Sequence, residues 1–253
     1  MHRTLKSAFL ALTLLAASSA FAGFESCSQF FAQGVKPRVL QPAFVPSQQR
    51  ELCFDAFAVL HSGQSKTPVF TVEKLNRAHL EQARGLQRRD RFYEEARLPS
   101  AERGQLADYK KVDGLNRRYD RGHQAPAADM PTEQAMAQSF SLANMVPQAP
   151  LNNRKAWADI EKSTRKYVMR AAGDVYVFTG PSFLGAPGAP VDRVGEVWIP
   201  RSLYKLVYDA STNRAWAYWM QNEDEAKISK PISYPELVRR TGIEFLPGIT
   251  PGA

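Results

Sequence analysis

Histidine and cysteine are scarce in this chain, with four and two among 253 residues. A catalytic zinc site needs two or three imidazoles close together, and only His61, His79 and His123 lie beyond the first few residues. No two-histidine zinc motif occurs. The chain also lacks a Gly-x-Ser-x-Gly elbow, a Walker loop and a Gly-x-Gly-x-x-Gly fingerprint, the usual entry points to serine hydrolases, P-loop enzymes and Rossmann dehydrogenases. After residue 22 no apolar run approaches the roughly 20 residues of a membrane span. Acidic charge is also in short supply: 25 Asp and Glu face 33 Lys and Arg, for a formal charge of +8. That balance suits an anionic partner, with nucleic acid, anionic lipid and acidic glycan all fitting. A 44% hydrophobic, 11% aromatic composition excludes disordered and fibrous classes.

Residues 1–22 read as a cleavable export leader. Arg3 and Lys6 precede an apolar run over 8–17, and Ala20-Phe21-Ala22 is a small-x-small cleavage site before Gly23. Cleavage after Ala22 removes two basic and no acidic residues, lowering the charge from +8 to +6. The expected destination is the periplasm or the exterior. An oxidising compartment favours pairing Cys27 with Cys53, a bridge worth about 3 to 4 kcal/mol by loop entropy if unstrained.

No repeat or long linker divides the remainder, so residues 23–253 are expected to form one domain. Residues 54–60 and 68–75 are β-rich runs split by a polar loop and predict neighbouring strands. Residues 84–119 are arginine-rich and aperiodic, which predicts a basic, largely irregular surface segment. From Asn152, Trp157, Ile160, Thr164 and Val168 fall on one stripe and predict a helix of about 18 residues capped by Gly173. Strand signals follow at 175–179, 196–199, 203–208 and 215–220, with a hairpin turn over 209–214. Residues 233–240 predict a short helix with Pro235 in its first turn. The class is mixed α+β.

One histidine stands in unusual company. His123 lies in Asp120-Arg121-Gly122-His123, followed by Asn144-Met145-Val146-Pro147-Gln148 and then Asn153-x-x-x-Trp157-x-x-x-Glu161. With Phe178-Thr179-Gly180-Pro181 and Ile199-Pro200 before Tyr204-Lys205, this ordered set resembles the DNA/RNA non-specific endonucleases, a branch of the ββα-metal (His-Me finger) nucleases. The likeness runs over residues 57–246. It implies a central antiparallel-rich β-sheet with flanking helices and a ββα-metal active-site motif.

The chemistry of phosphodiester cleavage agrees with the resemblance. It needs a base to activate water, a cation to neutralise developing charge, and guanidinium groups to hold the anion in line. His123 is the candidate base, because an imidazole titrates near neutrality. Asn153 is the candidate metal ligand. Mg²⁺, a hard ion that keeps most of its waters, suits a single amide oxygen, with Mn²⁺ as a substitute. The resemblance implies that Glu161 orients water in the shell of the ion and that Arg165 and Arg121 meet phosphate. It also implies a further arginine from the basic segment, for which Arg88 fits best beside Arg89 and Arg91. Either Asn152 or Asn153 could face the ion, and the count back from Trp157 favours Asn153.

Taken singly, each residue has a plainer reading. Asn153 alone is a helix cap. Glu161 and Arg165 are an ordinary i,i+4 surface pair. Asp120 is a structural residue bonding backbone amides in a tight turn, and His61 and His79 are surface residues. Together the motifs predict an exported, Mg²⁺-dependent endonuclease acting on DNA and RNA, leaving 5′-phosphate and 3′-hydroxyl ends, with any inhibitor protein unidentified. The rivals are a catalytically inactive nucleic-acid-binding protein on the same fold and a phosphodiesterase acting on small diesters.

Overall fold

A computed structural model describes residues 23–110, 119–185 and 189–252. The leader and its cleavage site, together with Lys111, Arg117 and Arg118 of the basic segment, lie outside the described residues. In chain order the strands are β1 (Arg38–Val39), β2 (Gln49–Cys53), β3 (Phe57–Ser62), β4 (Thr67–Leu75), β5 (Asp120–His123), β6 (Met145–Gln148) and β7 (Val175–Ser182). They continue as β8 (Arg193–Val194), β9 (Val197–Trp198), β10 (Ser202–Asp209), β11 (Arg214–Gln221), β12 (Ile232–Ser233) and β13 (Ile243–Glu244). The α-helices are α1 (Arg77–Ala83), α2 (Glu133–Ser139), α3 (Ala158–Val168) and α4 (Tyr234–Thr241).

Seven strands form the central sheet in the order β12-β11-β10-β7-β4-β3-β2, each pair antiparallel. The class is α+β. Strands β3, β7 and β10 are buried along their whole length, because both faces of the sheet are covered. One face packs Phe70, Phe178, Tyr204 and Phe245 into an aromatic core closed by α4. The other buries Val146, Trp157, Ile160 and Leu203 beneath α3, as the stripe of apolar residues leads one to expect. Gly180 is required where strands cross closely, since a Cβ there would stand 2.6 Å from the Val69 carbonyl oxygen.

The two ends of the described chain are fastened. Cys27 and Cys53 form the expected disulfide, with Cα atoms 5.8 Å apart, pinning the 3₁₀ turn at Phe24–Phe30 to β2. Strand β1 pairs antiparallel with β13. The strand pair over 54–75, the later strands, the 209–214 turn and the Pro235 helix lie where the sequence places them.

Three expectations need correction. The helix after Asn152 is not one 18-residue α-helix: a π-helical turn spans Asn152–Trp157, α3 ends at Val168, and Gly173 caps nothing. Asp120 is not in a tight turn, since 120–123 is a strand paired with 145–148. His61 is not a surface residue but fully buried, its Nε2 2.9 Å from the Glu102 carbonyl oxygen, and His79 is half-buried. For Asp120 and His61 a long-range partner decided what local pattern could not.

Candidate active site

The β5–β6 hairpin followed by the π-helical turn and α3 makes a ββα unit set on the sheet. Its strands are held in register by the motif residues. Gly122 pairs with Val146 in the hairpin, and the Gln148 side chain lies over it diagonally, so that a Cβ at position 122 would lie 2.7 Å from the Gln148 Cβ. Only glycine fits there without displacing the partner strand. Asn144 is fully buried and bonds both sides of Ala125, accepting from its N–H at 2.9 Å and donating to its carbonyl at 2.9 Å. A third bond, from Asn144 Nδ2 to the Ser139 carbonyl, satisfies the amide. The chain leaving His123 is thereby fixed. Asn222 performs the same office for β6, accepting from the Ala149 N–H and donating to the Pro147 carbonyl. Sequence reasoning did not single out Asn222.

Arg88, Arg121, His123, Asn153 and Glu161 line one cavity of about 580 Å³. Five of the residues singled out from the sequence therefore meet, although more than 70 positions separate the first from the last. His123 packs edge-on against Phe140, ring centroids 4.8 Å apart, with Phe92 beyond. Its Nε2 is buried and has no partner among the described residues. Burial pushes the imidazole down to about 3, the Arg88 and Arg121 cations adding to the effect and Asp90 opposing it. His123 is accordingly neutral at pH 7.

Asn153 sits in the π-helical turn. Its Nδ2 donates to Asp120 Oδ2 at 2.9 Å, which leaves its carbonyl oxygen without a partner among the described residues. Asp120 also receives two bonds from Arg154, at 2.8 and 2.6 Å. This carboxylate thus fixes the amide's orientation, a role that the strand register discloses and the linear sequence does not. Asn152 faces the other way. It is fully buried, accepts from Gln148 and donates to the Gln221 carbonyl. No group of three or more His, Cys, Asp or Glu able to hold a metal occurs among the described residues. The donor chemistry is therefore that of one oriented amide oxygen with carboxylates behind it, which suits a hard, largely hydrated Mg²⁺ and not zinc.

Burial pushes the Glu161 carboxyl up to about 7 against the pull of Lys205, with Asp129 adding to the rise. Lys205 is itself buried under α3, donating to Thr179 Oγ1 at 2.6 Å. Arg121 lies over the Phe92 ring at 4.0 Å, and Arg88 over Phe140 at 5.2 Å while paired to Asp90 at 2.5 Å. Neither Arg89 nor Arg91 lines the cavity. Arg165 does not line it either: its Nη1 holds Asp129 Oδ1 at 2.8 Å and its side chain opens onto a neighbouring groove. Tyr109, which no sequence motif marks, lines the cavity with a buried hydroxyl that has no partner among the described residues.

The family model for DNA/RNA non-specific endonuclease matches residues 37–251. Nuclease C1 of Cunninghamella echinulata var. echinulata is 33% identical over 174 residues, 65% of this chain and 67% of that protein. Human mitochondrial endonuclease G is 29% identical over 211 residues, 77% of this chain and 69% of its own length. For other curated relatives the match spans as little as about a third of their length. Among solved structures, an EndoG/EndoGI complex superposes with a TM-score of 0.69 over 81% of this chain and 89% of that one, at 24% identity, a likeness of fold. With a match over most of its length, the chain belongs to the DNA/RNA non-specific endonuclease family.

Proposed function

We propose that this protein is an exported, Mg²⁺-dependent endonuclease that hydrolyses DNA and RNA without reading sequence. The single observation that carries the reading is the convergence of His123, with its unpartnered Nε2, and the Asp120-oriented Asn153 on one arginine-lined cavity. Arg88 and Arg121 hold the scissile phosphate. The His123 imidazole takes a proton from water as the water oxygen attacks phosphorus. The P–O3′ bond breaks and O3′ takes a proton from solvent water, leaving a 5′-phosphate and a 3′-hydroxyl. Asn153 would hold the ion, with Glu161 beside it, and the ion when bound supplies charge neutralisation at the phosphate and the leaving oxygen. Arg165, anchored by Asp129, meets the substrate from the rim.

Arginines that contact phosphate do not report base identity, which accords with cleavage indifferent to sequence. The Cys27–Cys53 bridge and the leader pattern of residues 1–22 support export to the periplasm or beyond. We take residues 23–253 as one domain, the N- and C-terminal ends being joined through β1 and β13. Digestion of plasmid DNA and of RNA with Mg²⁺ and with EDTA tests the reading. Fragments in Mg²⁺, none in chelator and 5′-phosphate ends are expected. Digestion that continues in EDTA defeats it, and tight binding without turnover in Mg²⁺ points to the non-catalytic alternative.

A further inference from the structure

Beside the active-site cavity lies a second one of about 610 Å³, between α1 and α3. Ala128 lines both, so the two are neighbours across a single small residue. The second is rimmed by Arg84, Lys162, Arg165, Lys166 and Arg170, and no acidic residue lines it. Lys162 and Arg165 have carboxylate partners, Asp159 at 3.3 Å and Asp129 at 2.8 Å. Arg84, Lys166 and Arg170 are exposed and make no ion pair among the described residues.

The arrangement costs helix stability. Lys162, Lys166 and Arg170 follow one another at spacings of four, placing three cations in a column on one face of α3 and the turn after it. Like charges at i,i+4 repel by a few tenths of a kcal/mol per pair, and the C-terminal end of a helix favours each cation without removing that repulsion. An anion of extended, repeating charge relieves it. No aromatic side chain lines the groove, whose floor is Leu80, Ala83, Ala128 and Met169. It therefore offers no platform on which bases stack.

We propose that this groove binds the phosphodiester backbone of the same polynucleotide strand beyond the scissile bond, with Lys166, Arg170 and Arg84 as phosphate contacts. The proposal rests on the nuclease reading and extends it: the enzyme grips several phosphates on one side of the cut and favours polymers over small diesters. Arg165, one turn beyond Glu161 on α3, lines the groove, and Ala128 joins the groove to the active-site cavity.

The test uses the full chain and the variant K166Q/R170Q, with R84Q added as a third change. Binding of a fluorescein-labelled 20-nucleotide single strand is followed by anisotropy in EDTA across a NaCl series. Each lost contact to a single strand lowers the slope of log K against log salt by about 0.7, so about 1.4 for the double variant and about 2.1 for the triple are expected. In Mg²⁺, the ratio of kcat/KM on polymer to kcat/KM on bis(4-nitrophenyl) phosphate falls on the order of tenfold at moderate salt. An unaltered slope with an unaltered ratio overturns the groove assignment and leaves the nuclease reading standing. A wild-type protein that cuts neither substrate in Mg²⁺ defeats the nuclease reading, while the slope in EDTA still reports on the groove.

Discussion

Two regions of this molecule are rich in basic residues and use them differently. The irregular segment over 84–110 ties Arg97 and Arg103 into the protein's own structure and leaves Arg84, Arg89 and Arg91 exposed. Arg97 chelates the nearly buried Glu95 through Nε and Nη2 at 2.7 and 3.0 Å and lies 4.3 Å over Phe54. Arg103 reaches Glu94 at 3.7 Å and the Leu98 carbonyl at 3.4 Å. The ββα unit over 120–168 instead brings cations and the His123 ring to the lining of two cavities. Density of arginine in a sequence therefore says little about where an anion binds. What counts is how many of those charges are already matched inside the fold.

The contrast is sharpest at His123. His123→Ala is expected to lower kcat by about 10³-fold, the scale of a lost general base, with little change in Tm because the unpartnered Nε2 makes no structural bond. A variant that keeps more than a tenth of the rate would dissolve the distinction between a working unit and a supporting segment.

The supporting segment has its own weak point where it meets the sheet. His61 accepts burial as the neutral imidazole against the Glu102 carbonyl, and desolvation holds it down to about 4, below its ordinary 6.5. The unfolded chain therefore binds the proton more readily than the folded one. Stability is complete above about pH 6.5 and declines as pH falls from 6.5 toward 4, by up to about 3 kcal/mol from this group. Urea titrations at several pH values should show that decline in the wild type and a shallower one in His61→Gln.

A smaller effect separates arginines within the segment. Removing Arg97 strands a carboxylate that is 5% exposed, so Arg97→Gln should cost about 2 kcal/mol in denaturant unfolding. Arg89→Gln, at an exposed position with no ion pair among the described residues, should change stability by less than about 0.5 kcal/mol. Equal losses at the two positions would mean that Arg97 is as solvated as its neighbour.

Much of the sheet was legible because strands β3, β4, β7, β10 and β11 are runs of β-branched and aromatic residues bounded by turn formers, a pattern that survives without tertiary context. The apolar stripe of Trp157, Ile160, Thr164 and Val168 was legible for the same reason. Helices α1 and α2 were not: each has seven residues, too few to show a helical period. The β5–β6 hairpin was hidden because its loop of more than twenty residues contains a helix of its own, and because Gly122 and Pro147 are poor strand formers. At the site, the motif marked side chains that share one cavity but not their connections. That Asp120 orients Asn153, or that Arg165 pairs with Asp129, depends on strand register and on the approach of residues 127–129 to α3, neither of which leaves a local periodicity.

The π-helical turn at Asn152–Trp157 also marks where the protein can be retuned. A turn of this kind holds an extra residue inside an otherwise regular helix. Excising one residue between Asn153 and Trp157 would let the backbone relax to ordinary winding while the Trp157-to-Val168 face stayed seated on the sheet. The side chain ahead of the excision would swing by about 100° about the axis, carrying the amide away from Asp120. Single-residue insertions and deletions in this stretch can thus disarm or redirect the chemistry while the remainder of the scaffold folds as before.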